Sequence, residues 1–169
     1  GQVDHFYTVQ EILQGNTALT FNRNLVSEPL QYYWAAFIAM LGGGRLSFTL
    51  LKTAYALASL FGTFYIFCLG KELIDRWAGL IAAGLFGVAF WQILQTRAVL
   101  GAGLTLPILI PAVYYLVRGL RHEHNNDILI AALLGGLGLL TNKVFLIFPF
   151  VVLVVLIIWL LHSKQKSKL

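Results

Sequence analysis

Long apolar runs divide this chain, and the short stretches between them carry most of its charge. Runs at 46–69, 78–95, 100–117, 128–141 and 144–161 reach or approach the length of a membrane-spanning helix, which needs about 20 apolar residues for a hydrocarbon core of roughly 30 Å. The fourth is short and carries Gly135, Gly136 and Gly138, so it requires close helix packing or a thinned bilayer. Pro107 and Pro111 predict a kink in the third. A further apolar stretch, Pro29–Leu41, would rise only about 20 Å as a helix, too little to cross. Ahead of it, Phe6, Val9 and Leu13 recur at helical spacing and Gly15 ends the pattern, which predicts an amphipathic helix over 4–14. The runs are continuous rather than alternating, which excludes a β-barrel.

Composition agrees with the pattern. Of 169 residues, 59% are hydrophobic and 11% charged, with a mean hydropathy of +0.78. Soluble domains carry about 25% charged residues, so the expected class is an all-α integral membrane protein, a multi-span helical bundle. One cysteine, Cys68, excludes an intrachain disulfide or a cysteine metal cluster. The net charge of +5 points away from nucleic acid, because the excess lies beside the apolar runs, where topology and anionic headgroups explain it. The polar start resembles no signal peptide, and the lack of an initiator Met gives the expectation of upstream sequence.

Charge placement predicts sidedness. Lys71, Arg76, Arg118, Arg121, Lys164, Lys166 and Lys168 fall on one side of the five runs; Arg23, Arg45, Arg97 and Lys143 fall on the other. The side richer in Lys and Arg is cytoplasmic. Residues 1–45 are then an extracytoplasmic loop with two interfacial helices, 46–161 a five-span bundle, and 162–169 a basic cytoplasmic tail. Counting Pro29–Leu41 as a span would invert every later loop. It therefore reads as an interfacial or re-entrant helix, with Tyr32, Tyr33 and Trp34 at headgroup depth.

The outer side gathers Asp4, His5, Arg23, Glu28, Arg97, Asn142 and Lys143. Each has an ordinary reading. Asp4 can cap the first helix, Glu28 before Pro29 can open the next, and Arg97 and Lys143 can anchor span ends to headgroups. Taken together, two carboxylates and several cations at a membrane surface suit a lipid-phosphate substrate. Cations would hold the phosphate leaving group, and a carboxylate would take the proton of an attacking hydroxyl. That chemistry needs no cofactor; a divalent metal is compatible with it but not indicated. His122 and His124 form an H-x-H in a short polar loop, and LGGGR lacks the context of a phosphate-binding loop.

The order of segments resembles a known family. Glu28-Pro29-Leu30 heads an aromatic apolar stretch, followed by GKELIDRWAGL, FWQILQTRAVLGAGLTLP and GGLGLLTNKVFLIFPF. This order is similar to the N-terminal half of the GT-C glycosyltransferases, in particular the protein O-mannosyltransferase and aminoarabinose-transferase superfamily and its bacterial dolichyl-phosphate-mannose-protein mannosyltransferase-like members. The resemblance implies a multi-span bundle in a bacterial inner or plasma membrane, with juxtamembrane helices in the first outer loop. It implies a polyprenyl-phosphate-linked sugar, transferred with inversion on the extracytoplasmic side. Asp4 then matches the first-loop catalytic base and Glu28 the motif near the lipid phosphate, beside Tyr32 and Tyr33. Arg97 matches the basic residue of the second outer loop, and Lys143 lies at the outer end of a later span. His5 stands where the family often has a second acid, and Gly101–Gly103 where many relatives carry one.

Two alternatives use other features. A catalytically silent membrane subunit would pack against a partner protein through Gly135, Gly136 and Gly138. A transporter fragment would use the broken third and fourth runs, although Lys52 is the one ionisable side chain inside a run. Whether this chain is active by itself stays open at this level.

Overall fold

The computed structural model describes residues 2–15, 29–43, 47–89, 103–141 and 143–166; of these, 2–5, 29, 143–144, 158 and 160–166 are described by their backbone alone. The described residues are helical throughout, joined by turns. The helices are α1 (Gln2–Leu13), α2 (Pro29–Leu41), α3 (Phe48–Leu73), α4 (Arg76–Val88), α5 (Thr105–His122), α6 (Asn125–Leu139) and α7 (Phe148–Lys166), with a 3-10 segment at Lys143–Ile147. Among the described residues, α3 is the one helix both long and apolar enough to cross a membrane; the apolar helices Leu30–Leu41, Arg76–Val88, Asn125–Leu139 and Phe145–Ile157 are shorter.

Local chemistry sets the helix ends. Ser47 caps α3, its Oγ accepting from the Leu50 N–H at 3.2 Å. Two residues, Ile74 and Asp75, turn the chain into α4, and Asp75 Oδ1 accepts from the Ala78 N–H at 2.7 Å. A similarly tight turn joins α5 to α6. Glu123 takes the left-handed conformation there (φ 56°), and its N–H bonds the Gly119 carbonyl. Both hairpins are drawn together by small residues. A Cβ on Gly70 would lie 2.6 Å from Gly79 Cα, and one on Gly79 would lie 2.5 Å from the Phe67 carbonyl oxygen. Such close approach brings the two backbones into van der Waals contact that a larger side chain would prevent.

The helix α5 packs against both α3 and α6. It meets α3 where a Cβ on Gly62 would touch Pro107 Cα at 3.3 Å. Pro107 falls in the first turn of α5, where its missing N–H breaks no helical bond; Pro111, fully buried, has none to give the Pro107 carbonyl one turn back.

The two turns meet at one end of the bundle. Glu72 Oε1 lies 2.9 Å from His122 Nε2 and 3.7 Å from Arg121 Nη1, and Arg121 also donates to the Glu72 carbonyl. Lys71, Arg76, Arg118 and Arg121 therefore stand at a common end. Trp159 ties α7 to this end, its indole donating to the Leu120 carbonyl at 3.0 Å.

At the other end, α1, α2 and the start of α3 form a small core of Val9, Tyr32, Ala35, Ala36 and Leu51. Phe6 stacks on Phe48 with ring centroids 5.0 Å apart. The N-terminus of α2 meets the C-terminus of α6, where the Leu30 N–H donates to the Leu140 carbonyl at 3.4 Å. Each group is an orphan of its own helix, and each satisfies the other. At 15 residues α6 rises about 22 Å, less than a bilayer core. With the 13 residues of α2, the two helices together match the 26 residues of α3, about 39 Å. The short fourth run thus ends against the start of a second helix.

Candidate functional site

Most residues that sequence reasoning assigns to the outer site stand at the edge of what is described. Arg23, Glu28, Arg97 and Asn142 lie outside the described residues. Asp4 belongs to the first turn of α1, inside the helix rather than ahead of it as a cap would be. Lys143 opens the 3-10 segment. For these two the backbone alone is described.

Their described neighbours do converge. Leu30, two residues after Glu28, and Leu140, three before Lys143, share the backbone bond between α2 and α6. Phe6, two residues after Asp4, stacks on the first residue of α3. The start of α2 and the end of α6 therefore meet by main-chain contact, while α1 reaches the same part of the fold through α2 and α3.

Tyr32 and Tyr33, adjacent in sequence, have different places. Tyr32 is 8% exposed, in the core with Val9 and Leu51. Tyr33 lines an apolar cavity of about 610 Å³ between α2, α3 and the first turn of α5. Leu30, Trp34 and Phe37 of α2 form one wall, Leu57, Ala58 and Phe61 of α3 a second, and Leu104, Pro107 and Ile108 the third. The wall is pinned by Trp34, whose indole donates to the Ala54 carbonyl of α3 at 3.0 Å. That bond leaves the ring as apolar lining with no unsatisfied donor.

Sequence reasoning missed the third wall, because Leu104, Pro107 and Ile108 read there as ordinary span residues. It also missed Phe145, which is fully buried. The signal for Phe145 was present in Gly138: a glycine in an apolar helix leaves a notch, and the ring of Phe145 lies over it. Phe148 lies over Gly135 in the same way, whereas Gly136 faces open space. Two of the three glycines offered to a partner protein are thus filled by the chain's own rings.

His122 and His124 have rings 6.2 Å apart, but His122 is engaged with Glu72. Among the described residues no group of three or more His, Cys, Asp or Glu side chains is placed to hold a metal ion.

The described residues are helical and line an apolar cavity, and comparison with known families says what class of protein they belong to. Residues 26–169 match the family described as dolichyl-phosphate-mannose-protein mannosyltransferase. The chain belongs to this family, which consists of membrane glycosyltransferases. The match includes Glu28, Tyr32, Tyr33, Arg97 and Lys143, and begins after Asp4. No curated protein and no solved structure matches the chain significantly.

Proposed function

We propose that this chain forms the donor-binding part of an enzyme that transfers a sugar from a polyprenyl-phosphate carrier to an acceptor hydroxyl on the extracytoplasmic side of the membrane. The observation that carries the proposal is the apolar cavity lined by Tyr33, Trp34 and Phe61, one wall of which includes Leu30, the residue that bonds Leu140 at the end of α6. Its volume falls in the usual range for ligand sites, about 300–1,000 Å³. Its apolar walls suit a hydrocarbon chain, since each buried CH₂ gains about 0.8 kcal/mol. A phosphate attached to that chain would lie outside these apolar walls, and Arg97 and Lys143 are the cations assigned to it.

In this reading Asp4 accepts the proton of the acceptor hydroxyl while its oxygen attacks the anomeric carbon. The bond from that carbon to the phosphate oxygen breaks, and polyprenyl phosphate leaves with its new charge held by Arg97 and Lys143. Attack opposite the leaving group inverts the anomeric centre. Glu28 would orient the phosphate-binding segment from the start of α2. The sides of the membrane follow from the basic residues at the turn end, which would be cytoplasmic.

The test is transfer of radiolabelled mannose from polyprenyl-phosphate mannose by the full-length protein in proteoliposomes. Asp4→Asn is expected to lower transfer by about 10²–10⁴-fold while donor binding persists. Arg97→Ala and Lys143→Ala are expected to weaken donor binding and to flatten its dependence on salt. Unchanged transfer in Asp4→Asn together with unchanged binding in both cation variants would remove the assignment.

A further inference from the structure

The segment between α6 and α7 is more tightly held than a connecting loop. Thr141 is buried, its Oγ bonding the Gly138 carbonyl at 2.6 Å and its N–H the same carbonyl at 2.9 Å. The Leu140 carbonyl is taken by the Leu30 N–H of α2. On the far side of Lys143, Phe145 has no exposed surface, and a methyl group added to Gly138 would fall within its ring. Phe148 makes the matching contact at Gly135, where an added methyl would again fall on its ring.

These two pairs form a register. Gly135 and Gly138 are three apart on one face of α6, and Phe145 and Phe148 are three apart on a rising segment. The order is antiparallel, ring on notch twice, and the rings themselves pack with centroids 5.3 Å apart. A single contact would let the segment pivot; two in sequence fix both its height and its direction. Lys143 opens this segment, two residues before the first ring.

We propose that Phe145, seated on Gly138, is the positioning residue for Lys143: it sets where the backbone that carries that lysine stands beyond the C-terminus of α6. A lysine that only anchors a helix to headgroups needs no fixed place, because its long stem follows the interface. A lysine that meets a phosphate does, and the ring-on-notch register supplies that place through the backbone. The functional meaning of this role rests on Lys143 as a phosphate contact; the positioning is a separate matter and is measured separately.

The experiment uses the full chain in detergent with its one cysteine removed (Cys68→Ser) and a single thiol introduced by Lys143→Cys. The rate of reaction with a charged maleimide reports the surroundings of position 143. Adding Gly138→Ala is expected to change that rate at least threefold, and Phe145→Leu, which clears the ring from the added methyl, is expected to return it toward the starting value. A thiol at Asn126→Cys, exposed at the far end of α6, is expected to keep its rate throughout. A rate at 143 that ignores Gly138→Ala overturns the proposal, as does an equal change at 126. Lys143→Ala with Cys68 in place tests the underlying reading: unchanged affinity for polyprenyl phosphate removes the phosphate contact, whatever the labelling shows. If Lys143→Ala weakens that affinity, Gly138→Ala is expected to raise KM for the donor at least threefold with kcat nearly constant. A KM that does not move refutes the positioning role.

Discussion

The two ends of the bundle are held by different physics. At the turn end, the exposed side chains of Arg121 and His122 meet the half-buried Glu72 and join the α3–α4 and α5–α6 hairpins. At the cavity end, α2, α6 and the 3-10 segment are joined by a main-chain bond and by aromatic rings resting on glycines. Exposed ion pairs gain little, because water and salt screen them and long side chains lose entropy to meet. Buried rings gain from every contact they make and lose all of them when shifted. The contacts that join separate hairpins therefore tolerate less at the cavity end than at the turn end, while within the α3–α4 hairpin the approach of Gly70 to Gly79 is just as strict. The lesson is that precision in this fold comes from packing small residues against rings, with charge left to mark the ends.

The largest expected break in that comparison is chemical. Asp4→Asn should remove most transfer, by about two to four orders of magnitude, with no fall in thermal stability. Next comes Phe145→Ala, which empties the notch on Gly138 and is expected to destabilise by about 3–5 kcal/mol, read as a lower unfolding midpoint in detergent. Gly79→Ala should cost about 1–3 kcal/mol by forcing α3 and α4 apart, since its Cβ would meet the backbone carbonyl of Phe67 rather than a movable side chain. The smallest effect belongs to the ion pairs of the turn end. Glu72→Gln is expected to cost under about 1 kcal/mol at low salt and nothing measurable at 1 M salt. If Glu72→Gln proved as costly as Phe145→Ala, the contrast between the ends would be wrong.

Much of the helix layout was legible in the sequence. The apolar stretch at Pro29–Leu41 forms a helix with those bounds, and helices occur at each of the five longer runs. Grouping Lys71, Arg76, Arg118 and Arg121 on one side predicted the end at which both turns meet. The sequence did not disclose which apolar face meets protein and which meets lipid, because both are equally apolar and periodicity cannot separate them. Tyr32 and Tyr33 illustrate the limit: both read as an aromatic belt, yet one enters a core formed with α1 and the other lines a cavity. The end-to-end meeting of α2 and α6 was also hidden, since it depends on a backbone bond between residues 110 positions apart. The residues of the candidate site were read in the sequence as a set of charges expected at one face; their roles came from the family's pattern, which spacing alone does not supply.

The Trp34 indole, fixed to the Ala54 carbonyl in the cavity wall, gives this protein an optical handle. A brominated polyprenyl chain entering the cavity would quench that indole at contact range, whereas Trp77, 72% exposed near the opposite end, would respond to brominated bulk lipid. Trp34→Phe would subtract the first signal and leave the second. Occupancy of the cavity can therefore be followed by light, in an intact bilayer, before any sugar or acceptor is known.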